Sequence, residues 1–164
     1  MKPFVIMSAT AFFIASPALA QSATPANDFL AEAIQGDNAE VQMGKLASSR
    51  GGSKDVRDFG KMLVRDHTKG GQEARKLARQ LKVKAPNDAP PDAAEMKAAL
   101  SKLKGAEFDR EFAAHMVDDH KKDIDRYQQQ ADGAADPKVK DFAARTLPVL
   151  HKHLDAAQKL SEAK

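Results

Sequence analysis

Apolar residues recur every three or four positions through four long stretches of the chain, the period of a helix with one buried face. The first stretch runs from Asn27, a good N-cap, to about Ser48 and aligns Leu30, Ile34, Val41 and Gly44. The second starts near Ser53 and carries Val56, Phe59, Leu63, His67, Gly70, Ala74, Leu77 and Leu81. The third, from about Glu107 to Ala131, carries Phe112, Ala113, Met116, His120, Ile124 and Tyr127. The last has Asp136 as a cap and Pro137 in its first turn, followed by Val139, Phe142, Ala143, Thr146, Leu150, His153, Leu154, Ala157 and Leu160.

The breaks between these stretches set their connectivity. "SSRGGSK" and "DGAADP" are short turns, whereas "VKAPNDAPP" is an extended connector because its three prolines remove amide donors. A short helix from about Asp92 to Leu103 follows, with Met96, Leu100 and Leu103 on one side and Gly105 closing it. Connector and short helix together can travel the length of a bundle. The pattern therefore predicts an all-α, ferritin-like four-helix bundle with a long crossover between helices 2 and 3, up-down-up-down being the alternative. Gly70 and Gly71 predict close packing or a bend in helix 2, and Pro148 predicts a kink in the last helix.

Composition narrows the setting. Lys2, the apolar "FVIMSATAFFIA" and "ALA" at Ala18 to Ala20 form a secretory leader over residues 1–20, leaving one bundle domain over 21–164. The expected product is exported, periplasmic or secreted where there is no outer membrane, and is not an integral membrane protein after cleavage. The formal charge of +3 falls to +2 without Lys2, with both signs interspersed, so no nucleic-acid partner is expected. With no cysteine, disulfides, thiolate metal sites and covalent haem attachment are excluded.

Each long stripe also holds one polar residue near its middle: Glu40, His67, His120 and His153. The first three lie thirteen residues beyond Asn27, Lys54 and Glu107, and His153 lies sixteen beyond Pro137, so all four can meet at similar depth. Three imidazoles and a carboxylate form a ligand set for one divalent transition metal, Zn, Fe, Mn, Ni or Cu. Asp66 and Asp119, each directly before a histidine, are placed to hold imidazoles by their outer nitrogens, and Asp37, one turn before Glu40 on the same face, is a further candidate ligand or supporting partner. His115 and His151 point off the stripes and read as surface residues. The competing reading is a structural or interaction protein of the cell envelope, stress-related, whose polar core residues satisfy one another and whose outer faces meet an envelope protein partner.

The stretches "VRDHTK", "MVDDHKKDI", "GAEFDREF" and "TLPVLHKHL", with Glu40 ahead of "GKLA", resemble the exported bacterial family called domain of unknown function 4142. The resemblance covers nearly all of the chain after the leader and implies a ferritin-like four-helix fold with no established activity. It places the recurring polar positions at Glu40, Asp66, His67, Asp109, His120 and His153, which adds Asp109 to the candidates around the metal. The Glu-x-x-His pairs of ferritin-like di-iron proteins are absent: Val64 stands three residues before His67 and Leu150 three before His153. That departure argues against ferroxidase chemistry.

Overall fold

Five helices follow one another through residues 24–163, the part of the chain that the computed structural model describes; the leader expected at residues 1–20 lies outside it. They are α1 (Ala26–Arg50), α2 (Lys54–Gln80), the short α3 (Pro91–Leu100), α4 (Gly105–Gly133) and α5 (Pro137–Glu162). Two starts are fixed by side-chain caps. Ser53 accepts the Val56 amide at 3.2 Å, and Asp136 accepts that of Lys138 at 2.7 Å, ahead of Pro137. Gly105, expected to close the short helix, instead opens α4 with a φ of +57°. Helix α5 runs on through Pro148, which is exposed, as is Ala144, whose carbonyl loses its intrahelical donor to that proline.

Helices α1 and α2 pair as one antiparallel hairpin and α4 and α5 as another, with α2 beside α5 and α1 beside α4. The turn after α1 meets the start of α4 through a parallel bridge between Gly51 and Gly105. Helix α4 therefore starts at the end where α2 starts, and residues 81–104 must return along the bundle. The crossover is held to α1 by Asn38, whose amide donates to the carbonyls of Asn87 and Asp88, both at 3.2 Å. This is the ferritin-like order predicted from the connector.

Asp109 has its role at this joint. Its two carboxylate oxygens accept the amides of Gly52 and Ser53, each at 2.7 Å, and so clamp the α1–α2 turn to the first turn of α4. It is thus removed from the imidazoles it was expected to serve.

The core is split. One apolar cluster, around Phe29, Leu30, Ile34, Tyr127 and Phe142, fills one end; another, around Met43, Phe59, Phe108, Phe112 and Met116, fills the other. Between them lies a buried polar layer of Asp37, Glu40, His67, His120 and His153. Helices α1 and α2 approach most closely at Gly44 and Gly60, where a Cβ on either would stand 2.6 Å from the other's carbonyl oxygen. Gly60→Ala should therefore destabilise the fold by about 1–3 kcal/mol through overpacking. Gly36→Ala, where a Cβ meets nothing within 4 Å, should stabilise it by about 0.5–1 kcal/mol through helix propensity. Denaturant unfolding of the two variants checks the contrast, and equal effects would contradict this packing.

Candidate metal centre

Helical phase brings three of the four expected ligands together. His67 of α2, His120 of α4 and His153 of α5 are buried, and one ring nitrogen of each lies within 4.8 Å of those of the other two. Their ring centroids are 5.1 to 5.7 Å apart, close to an equilateral triangle.

The outer nitrogens decide where the protons sit. His120 Nδ1 faces the Met116 carbonyl at 3.0 Å, which can only accept, so this nitrogen carries the hydrogen. His153 Nε2 faces Asp66 Oδ2 at 3.1 Å. Burial works against the Asp66 charge, but hydrogen bonds from Arg65 and His153 hold its pKa at about 2, so Asp66 is ionised and His153 Nε2 donates to it. Each neutral ring then has a bare lone pair on its inner nitrogen, His120 Nε2 and His153 Nδ1, and these two face each other at 3.3 Å. Two lone pairs at that distance repel unless a proton or a cation joins them.

A proton is disfavoured at neutral pH. Burial, with the other two rings adding to it, lowers His120 to about 3; burial and His67 lower His153 to about 4, against Asp66. Burial likewise lowers His67 to about 4. Ligands about 2.0–2.1 Å from a tetrahedral ion stand about 3.3–3.4 Å apart, which matches the His120–His153 contact.

His67 completes the cluster through Asp37. Asp37 Oδ1 meets His67 Nδ1 at 2.8 Å, which leaves His67 Nε2 buried and without a protein partner. Gly70 explains how the acid fits, since a Cβ there would lie 3.1 Å from Asp37 Oδ1. An open cavity of about 430 Å³, bordered by Asp37, Asp66, Asp123, Tyr127 and Arg145, reaches His67 from solvent.

Glu40 does not join the three rings. It is buried as expected, but three residues advance a helix by about 300°, so it leaves α1 about 60° away from Asp37. Asp37 faces α2, whereas Glu40 borders a cavity between α1, α3 and α4 that Asp119 also borders. Asp119 holds no imidazole: the outer partners of the three rings are Asp37, the Met116 carbonyl and Asp66. Of the expected supporting acids, Asp37 and Asp66 hold rings, while Asp109 and Asp119 do not. His151 is exposed and His115 half-buried. Asp123, one turn beyond His120, escaped the sequence reading although burial lifts its pKa to about 7; its signal was an acid on a stripe otherwise apolar after His120.

Residues 14–160 match the family described as domain of unknown function (DUF4142). Among curated proteins none matches the chain. Among solved structures, the DUF305 fragment from Deinococcus radiodurans superposes with a TM-score of 0.72 at 15% identity, covering 86% of this chain and 98% of that one. CopM in its Cu(II)-bound form superposes with a TM-score of 0.72 at 14% identity, covering 85% of this chain and 97% of that one. These likenesses are likenesses of fold.

In metal-stripped protein, nitrogen-detected NMR should find His120 protonated on Nδ1 and His153 on Nε2, with neither ring gaining a second proton until pH approaches about 4. Because folding lowers these pKa values, the stability they contribute is complete above the ordinary imidazole value near 6.5 and is lost as pH falls toward about 4. Asp37, Glu40 and Asp123, all raised by burial, act oppositely: their contribution is present in acid and lost as pH rises through their folded pKa values. Reversed tautomers, or rings that titrate near 6.5, would contradict the geometry.

Proposed function

The chain belongs to the DUF4142 family, and on the geometry of its polar layer we propose that it is an exported protein that binds one divalent transition-metal ion through His67 Nε2, His120 Nε2 and His153 Nδ1. The observation that carries this reading is the 3.3 Å approach of two inner nitrogens whose outer partners leave both as lone pairs. The surroundings fit the group. His120 is held from outside by a carbonyl, His153 by the ionised Asp66 and His67 by the Asp37 carboxyl group, the arrangement that orients imidazole ligands. The unpartnered His67 Nε2 supplies the third donor.

Neutral imidazoles suit Zn, Ni and Cu(II), and the order of divalent affinities puts Cu(II) highest. The shared fold with Cu(II)-bound CopM makes copper the first ion to try. A three-nitrogen face leaves a coordination position free, and the cavity at His67 gives a route to it. Such a site would store, buffer or sense the ion, and the leader-like sequence of residues 1–20 supports reading that task as a periplasmic one.

Elemental analysis after loading with Cu²⁺, Ni²⁺ or Zn²⁺ and dialysis should give one such ion per chain in the wild type and none in His67→Gln/His120→Gln. A hundredfold excess of Cu²⁺, Ni²⁺ or Zn²⁺ over Kd should stabilise the wild type by about 2.7 kcal/mol and leave the double variant unmoved. Absence of both stoichiometric metal and stabilisation across Zn, Fe, Ni and Cu, with any Mn uptake surviving in the double variant, would leave the envelope-interaction reading in its place.

A further inference from the structure

Beside the histidine cluster lies a separate group of oxygens. Glu40 is 1% exposed and its Oε2 has no hydrogen-bonding partner, although the residue borders a cavity of about 590 Å³ between α1, α3 and α4. Asp119 and Asp123 of α4 border the same cavity, and their spacing of four residues sets them on one helical face. Arg126 is committed elsewhere: it pairs with Asp123 Oδ1 and Glu32 Oε2, each at 3.2 Å. Among the described residues, neither Glu40 nor Asp119 has an ion pair. Lys122 borders the cavity too, but among the described residues it forms no ion pair with either, and two carboxylates sharing a cavity without a paired cation are relieved by a proton or a bound cation.

We propose that Glu40 and Asp119, with Asp123 beside them, form a second cation site of oxygen donors at the α1–α4 interface that takes a hard, partly hydrated divalent ion of the Ca²⁺, Mg²⁺ or Mn²⁺ class. The donor chemistry selects the class. Carboxylate oxygens suit hard ions, and an open cavity leaves room for the waters such ions keep; His115 borders the cavity as well but, among the described residues, makes no hydrogen bond to either acid. Glu40 Oε2 supplies the buried donor, and Asp119 the second. The site shares no side chain with the three rings, so it stands independently of the transition-metal reading.

Mn²⁺ is the probe, counted by electron paramagnetic resonance of the free ion during titration of the full-length protein. Wild type and His67→Gln/His120→Gln should each take up one Mn²⁺ with similar affinity. Glu40→Gln and Asp119→Asn should each weaken that uptake by more than about tenfold. Both variants should keep Zn²⁺ on the rings and a wild-type circular dichroism spectrum. Glu40→Gln is isosteric and removes a buried like charge, and Asp119→Asn at a less buried position supplies an independent test. No saturable Mn²⁺ in the wild type, the result expected if a shared proton joins Glu40 to Asp119, overturns the proposal. Binding lost with the histidines, or retained in both carboxylate variants, overturns it equally.

Discussion

The contact between His120 Nε2 and His153 Nδ1 constrains everything around it. A carbonyl fixes the hydrogen of one ring on its far side, an ionised carboxylate does the same for the other, and the two lone pairs are left 3.3 Å apart. Burial withholds the proton that would reconcile them. A third ring, held by Asp37, turns a further unpartnered nitrogen into the same space. A protein that only needed to fill this layer would do better with leucine, because buried polar groups without partners cost several kcal/mol. The polar layer is therefore a cost that the two flanking apolar clusters must carry.

The rest of the architecture serves that layer. Close approach at Gly44 and Gly60 and the bare backbone at Gly70 let α1 and α2 draw near enough for Asp37 to reach His67. The long crossover makes α2 and α5 neighbours, so Asp66 of α2 can hold His153 of α5. At the far joint, Asp109 ties the α1–α2 turn to α4 and helps fix the register between the two hairpins. A ring displaced by a single turn would lose both its outer partner and its two neighbours.

Much of this was legible in the sequence. The 3.6-residue period turned His67, His120 and His153 inward, and the prolines of residues 83–91 announced the crossover. The period gives the face of a helix, however, and not which of its two neighbours that face meets. Glu40 is inward, as its stripe requires, yet it faces α4 and not the rings. Asp37, one turn earlier, is the acid that reaches the cluster. Adjacency along the chain misled for Asp119 and succeeded for Asp66, because the outcome depends on which helix stands opposite. Asp109, suggested by family resemblance alone, proved to be a joint between segments 56 and 57 residues apart, a role with no local signal.

Two donor sets of different hardness thus lie side by side, three nitrogens at the centre and carboxylates between α1 and α4. The most direct test of the central claim is anomalous diffraction from crystals soaked in Zn²⁺ or Cu²⁺. The account expects one strong peak about 2.0–2.1 Å from His67 Nε2, His120 Nε2 and His153 Nδ1, with the outer hydrogen bonds unchanged. A peak confined to the protein surface, or none while the three rings keep their present positions, would contradict it.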